Sequence, residues 1–241
     1  MRRAARRTKR LLGQAPYTPV DSGLSTTISY SKAFTPLKKG ALAENSAKCK
    51  ARTEFQSDIE RAMTADRIEL WTIGHSTLPI ERLIEALSSF EIEVLADVRS
   101  FPGSRRFPHF NQERLSASLA DAGIEYQHFP ELGGRRKARP DSPNMAWRNK
   151  MFRGYADYME TDEFRSGIAR LVKAARARRT AIMCAEAVWW RCHRSLISDY
   201  LKARGVEVRH IMAAGKSEPH PFTSAARIVN GELSYRGILE G

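Results

Sequence analysis

Residues 70–98 read LWTIGHSTLPIERLIEALSSFEIEVLADV and hold a β-α-β unit. Leu70-Trp71-Thr72-Ile73-Gly74 is a short apolar run of buried-strand character. Thr77 stands where a helix N-cap belongs. Ile80, Leu83, Ile84, Leu87 and Phe90 then follow at i, i+3, i+4, i+7 and i+10, the spacing of one helical face. Val94-Leu95-Ala96-Asp97-Val98 is a second strand.

Outward from this unit the alternation continues. Asn111 opens a helix over Leu115 and Leu119 that stops at Gly123, and Ile124–Phe129 is a third strand. Residues 133–150, with Gly133-Gly134, several cations and two prolines, read as a long loop. Helices are expected near Met151–Met159 and over Glu163–Arg178, the latter carrying Phe164, Ile168, Leu171 and Val172. Thr180–Ala185 is a fourth strand, His193–Arg204 a helix closed by Gly205, and Val206–Met212 a fifth strand. Asn230-Gly231, between Arg227-Ile228-Val229 and Leu233-Ser234-Tyr235, is a two-residue hairpin turn. Strands separated by helices argue for a parallel, doubly wound α/β sheet. The expected fold is therefore a mostly parallel five-stranded sheet with helices on both faces and a short C-terminal hairpin, one domain over residues 63–241.

Ligands of open α/β sheets bind beyond the carboxyl ends of the strands. Here those ends are chemically rich: Gly74-His75-Ser76, Asp97-Val98-Arg99-Ser100, Glu131-Leu132-Gly133-Gly134, Cys184-Ala185-Glu186 and then Cys192-His193-Arg194. Thr72-Ile73-Gly74-His75-Ser76, Asp97-Val98-Arg99 with Pro102 and Ser104, Leu132-Gly133-Gly134, and Met183-Cys184-Ala185-Glu186 followed by Cys192-His193-Arg194 resemble, in this order, the domain of unknown function (DUF) family 488, widespread in bacteria. The resemblance spans residues 68–215. It implies a compact α/β domain and no assigned reaction, so the chemistry has to be read from the residues.

Cys192 precedes a helix N-terminus, where unpaired N–H groups and the flanking Arg191, His193 and Arg194 favour a thiolate. The same groups suit a bound anion. Arg194 follows Cys192 too closely for a tyrosine-phosphatase loop. Asp97 and Glu186 read either as a general acid/base pair or, for Asp97, as the ion partner of Arg99 or Arg194. His75 and Ser76 are placed to touch a ligand, although no G-x-S-x-G elbow is present. Trp189-Trp190 either stack on a base or plug their loop onto the domain. The candidate catalytic residues are thus His75, Asp97, Glu186 and Cys192. The candidate anion-binding residues are Ser76, Arg99, Gly133, Gly134, His193 and Arg194. No C-x-x-C, H-x-x-x-H, dinucleotide or Walker pattern occurs, so no cofactor is evident; zinc or another metal on Cys184, Cys192 and His193 is the alternative.

The chain has 241 residues and a net charge of +13. Residues 1–62 carry 13 basic and five acidic residues, a net +8, which leaves +5 for residues 63–241. That basic segment lacks an apolar period and reads as a disordered extension. A translation start at Met63 would make it dispensable; otherwise it is a functional tail. No apolar run approaches about 18 residues, which excludes a membrane-spanning helix. Three cysteines make no disulfide framework, and a cytoplasmic setting is expected. The expected function is a hydrolase or group transferase for a phosphate-bearing substrate such as a nucleotide, a nucleoside derivative or a nucleic acid. The alternatives are a non-catalytic nucleic-acid-binding module using the tail and basic loops, and a redox or metal protein on Cys184 and Cys192. Oligomeric state is left open.

Overall fold

β1 (Glu69–Gly74) lies inside the sheet, between two strands that the chain reaches much later. The computed structural model describes residues 68–237, so the disordered extension and the Met63 start expected from the sequence lie outside the described residues. After β1 come α1 (Ile80–Ser88), β2 (Val94–Asp97), α2 (Gln112–Asp121) and β3 (Glu125–His128). The long loop leads to α3 (Lys150–Tyr158) and α4 (Asp162–Ala177), followed by β4 (Thr180–Cys184), α5 (Arg194–Lys202) and β5 (Glu207–Ala213). β6 (Lys216–Pro219) and the hairpin of β7 (Arg227–Val229) and β8 (Glu232–Ser234) complete the domain.

The sheet order is β3-β2-β4-β1-β5-β6, with β1 to β5 parallel and β6 antiparallel to β5. Successive strand residues face opposite sides, and both sides are buried, as a parallel sheet between helical layers requires. Trp71, Ile73, Leu95, Ala181 and Met183 pack with Leu83 and Leu87 of α1 and Leu115 and Leu119 of α2. Leu70, Ala96, Ile182 and Val208 face the other layer, where Tyr155 of α3, Phe164, Ile168 and Leu171 of α4 and Leu196 of α5 meet them.

The α/β class, the parallel strands and the hairpin are as expected. Asn230 and Gly231 both adopt positive φ, 52° and 80°, the turn that matches the twist of a two-residue hairpin. Two details differ. A sixth strand, β6, extends the sheet beyond the five expected. Its Lys-Ser-Glu-Pro sequence carries no apolar signal because an edge strand needs none, and charge with proline protects an open edge. Thr77 does not cap α1: the helix begins at Ile80 behind Pro79, with no side-chain cap. Thr77 instead lies in the turn closed by the Leu78 amide on the His75 carbonyl, at 2.9 Å.

Candidate functional site

Register sets the site. Gly74 pairs with Cys184 and Asp97 with Met183, so β1, β2 and β4 end at one level. Backbone bonds run on past those ends: His75 N–H to Cys184 O (3.0 Å), Ser76 N–H to Ala185 O (2.9 Å) and Val98 N–H to Met183 O (3.0 Å). The loops after the three strands therefore leave side by side. Ser76 makes its turn at φ 43°, a sparsely populated conformation for a residue with a side chain.

His193, just before α5, donates Nε2–H to the Val98 carbonyl at 3.0 Å. That bond turns Nδ1 toward the two cysteine sulfurs, as a bare nitrogen in the neutral ring and as a donor to Cys192 in the protonated one. Nδ1 lies 3.5 Å from Cys192 Sγ and 3.8 Å from Cys184 Sγ. The Tyr155 ring lies 5.2 Å from the imidazole. Gly134 also packs closely on it, since an added Cβ there would fall 2.4 Å from Nδ1. All three residues are buried, and their ligand atoms lie within 4.8 Å of one another, a group that could hold a metal. Burial opposes ionisation of Cys192. Donation from the Cys184 thiol and the nearby His193 and Arg194 outweigh it and hold the Cys192 thiol well below its usual range. As the donor beside it, Cys184 is pushed correspondingly up, with burial acting in the same sense.

Arg194, 1% exposed, is the largest fully buried side chain among the described residues. Nη2 donates to the carbonyls of Glu186 (2.6 Å) and Ala187 (3.4 Å), and Nη1 to Thr72 Oγ1 (3.4 Å). Nε is buried without a partner among the described residues. Gly74 makes room for this arrangement, since a Cβ there would fall 1.9 Å from Glu186 O and 2.7 Å from Nη2. No carboxylate among the described residues pairs with the guanidinium directly. Its counter-charge sits at the end of a buried chain of hydrogen bonds. Thr72 Oγ1 meets His210 Nδ1 at 2.7 Å, His210 Nε2 meets His220 Nδ1 at 2.9 Å, and His220 Nε2 meets Asp199 Oδ1 at 2.9 Å. Thr223 Oγ1 and Tyr235 OH also donate to Asp199.

One direction gives every proton in this chain an acceptor: Arg194 to Thr72, Thr72 to His210, His210 to His220, His220 to Asp199. It also leaves one buried cation and one buried carboxylate, connected but not in contact. Burial first, then His220 and Arg194, push the His210 pKa down to about 2, so its ring stays neutral. Trp189 stacks flat on it at 4.3 Å. Of the two tryptophan readings, Trp189 therefore plugs its loop onto the domain, while Trp190 is half exposed.

Asp97 takes the ion-pair alternative. Arg99 reaches its carboxylate through N–H, Nε and Nη2 at 2.6–3.0 Å, and Tyr126 OH donates at 2.8 Å. Asp97 thereby positions Arg99, whose Nη1 donates to His75 Nε2 at 3.3 Å. His75 donates Nδ1–H to Ser76 O at 3.1 Å and stacks on Phe110 at 3.9 Å. Burial, reinforced by Arg99, lowers its pKa to about 4. Glu186 is exposed, in contrast to fully buried Asp97, so the two carboxylates occupy different environments. Gly133 packs on Ser100, and its carbonyl accepts Arg136 Nε at 3.1 Å. Arg105, Arg106 and Arg135 are exposed, the last over the ring of exposed Phe101. A groove of about 810 Å³ elsewhere, lined by Glu160, Arg165, Tyr200, Arg204 and the hairpin, contains none of the site residues named from sequence.

A family model described as Domain of unknown function DUF488 matches residues 79–201, just over half of the chain. The chain belongs to that family. No curated protein and no solved structure matches it. The DUF488 match contains Asp97, Arg99, Gly133, Gly134, Cys184, Glu186, Cys192, His193, Arg194 and Asp199, and excludes Thr72, His75, His210 and His220. The structure brings Cys184, Cys192, His193 and Arg194 into one cluster and Asp97, Arg99 and His75 into a second. Sequence reasoning did not find Thr72, His210, His220, Asp199, Tyr126 or Tyr155. The available signal was a polar residue at an inward position of an apolar strand, Thr72 in β1 and His210 in β5, which are register partners. Among the described residues, no helix is long and apolar enough to cross a membrane.

Proposed function

We propose that this chain is an enzyme, a hydrolase or group transferase, acting on a phosphate-bearing substrate such as a nucleotide, a nucleoside derivative or a nucleic acid. The observation that carries this reading is Arg194. It is a buried guanidinium bonded to neutral oxygens, with Nε unpartnered among the described residues and its carboxylate four hydrogen bonds away, beyond Thr72, His210 and His220. Leaving a cation inside a protein without a contacting anion costs several kcal/mol, and a phosphate oxygen is the acceptor that a guanidinium N–H fits best. The position agrees, since parallel α/β sheets bind ligands at strand carboxyl ends. Exposed Arg105, Arg106 and Arg135 carry charge of the same sign as Arg194.

In this reading Arg194, Ser76 in the turn after β1, and Gly133-Gly134 in the loop after β3 seat the anion beside Cys192 and His193. Asp97 acts through Arg99 and His75 as a positioning group. Glu186, the exposed carboxylate, exchanges protons with solvent.

The test is a thermal-shift panel on the full chain, using nucleotides, sugar phosphates and the matching nucleosides and sugars. A specific ligand at a hundred times its Kd adds about 2.7 kcal/mol of stability. Phosphate-bearing compounds are expected to raise Tm and their unphosphorylated counterparts to leave it unchanged. Equal shifts from both, or none from any, overturn the reading. With a ligand in hand, exposed Glu186→Gln is expected to keep binding and lower turnover. A nucleic-acid-binding module would instead bind DNA or RNA with a steep salt dependence that weakens on deleting residues 1–62.

A further inference from the structure

The geometry points to a zinc site formed by Cys184 Sγ, Cys192 Sγ and His193 Nδ1, with a fourth coordination position left for water or a substrate atom. Four observations converge on it. Two thiols and an imidazole are the ligand types that zinc prefers, and three protein ligands with one open position is the pattern of catalytic rather than structural zinc.

The sulfur–nitrogen spacings fit a tetrahedron. Zinc–sulfur bonds of about 2.3 Å and a zinc–nitrogen bond of about 2.0 Å put a sulfur and a nitrogen about 3.5 Å apart. The two observed sulfur–nitrogen separations are 3.5 and 3.8 Å. The correct nitrogen is free, because Nε2–H is committed to the Val98 carbonyl. A ring whose far nitrogen donates to a backbone carbonyl is the usual outer support of a metal-bound histidine. Tyr155 and Gly134 pack against the ring and confine it.

The fold explains how these side chains meet although they are not spaced as C-x-x-C. Cys184 ends β4, and the single turn of Trp189–Arg191 returns the chain so that Cys192 and His193 arrive at the same strand end.

Metal content is the direct test and requires no substrate, so its outcome is separate from that of the phosphate panel. The full chain is expressed in zinc-supplemented medium, purified without chelator, and analysed by mass spectrometry of elements. One zinc per chain is expected. Cys184→Ser, Cys192→Ser and His193→Ala are each expected to lower retention at least about tenfold, whereas Cys49→Ser keeps it. Cobalt(II) alone, added to the demetallated protein, should give the thiolate-to-cobalt charge-transfer and tetrahedral d–d absorption. If the variants fail to fold, the wild type still decides. Cys184 and Cys192 should resist alkylation until a chelator is added and then react, as mapped by peptide mass spectrometry. Zinc-free protein that gives no cobalt spectrum overturns the proposal. So do zinc retained in the Cys184 and Cys192 variants, and iron or copper bound at these residues in place of zinc.

Discussion

Acid should unfold this protein through its buried neutral histidines, and His210 gives the clearest case. Its pKa is about 2 in the fold against 6.5 for an ordinary histidine. As pH falls through 6.5 the unfolded chain takes up a proton that the native ring refuses, so the unfolded state binds more protons throughout that window. Stability therefore rises with pH between about 4 and 7 and is lost on acidification. At about 1.4 kcal/mol per pH unit, moving from pH 7 to pH 5 removes about 2 kcal/mol through His210. His75, at about 4 in the fold, is still mostly neutral at pH 5 and contributes a similar loss. The pair removes about 4 kcal/mol, a large share of the 5–15 kcal/mol that holds a typical domain.

Urea unfolding of the full chain at pH 7, 6 and 5 and constant ionic strength, followed by circular dichroism, measures this directly. His210→Gln keeps a donor and an acceptor in the chain but does not titrate. It lowers stability at every pH, yet the slope with pH should fall by about half. Stability flat from pH 7 to 5 refutes the argument, and so does a His210→Gln slope equal to that of the wild type.

Three further substitutions probe the same interior. Asp199→Asn removes the counter-charge of Arg194 and should cost about 3–5 kcal/mol, read as a fall in Tm of about 10 °C or more. Tyr126→Phe deletes one donor to the Asp97 carboxylate and should cost about 1.5–3 kcal/mol in urea unfolding. Gly74→Ala forces a Cβ to within 1.9 Å of a backbone carbonyl, which should cost at least the upper end of about 1–3 kcal/mol; a stable Gly74→Ala protein would contradict the packing described for Arg194.

Three of the strands that sequence reading found have a chemical reason to be apolar, whereas β3 and the hairpin were marked by the turn residues Gly123 and Asn230-Gly231 beside them. β1, β2 and β4 are covered on both faces, so most of their residues are hydrophobic. β6 is exposed, and nothing in Lys-Ser-Glu-Pro distinguishes it from a loop; only its pairing with β5 makes it a strand. The site divides in the same way. Cys192, His193 and Arg194 were legible because contiguous reactive side chains at a strand-to-helix turn are a local signal. Asp97 and Arg99 were legible as partners because they stand two residues apart. Thr72 and His210 touch across 138 residues of sequence. Their contact is decided by which strands are neighbours and in what register, which no local pattern carries.

That same chain of hydrogen bonds bears on what must fold together. The DUF488 match over residues 79–201 contains both buried charges, Arg194 and Asp199. The side chains that connect them lie outside it on both sides, Thr72 before and His210 and His220 after. β1 also lies outside, although it pairs with β4 on one edge and β5 on the other. A fragment limited to residues 79–201 would thus open the middle of the sheet and leave a guanidinium and a carboxylate in the interior with nothing between them. Each such uncompensated charge costs several kcal/mol, comparable to the whole stability of a domain. The fragment is expected to show no cooperative thermal transition, and a fragment of residues 68–237 to regain one. A cooperative transition in the shorter piece would mean that the Arg194–Asp199 connection is incidental to folding. Its absence, with recovery in the longer piece, would make the buried polar chain, rather than the matched segment, the boundary of the folding unit.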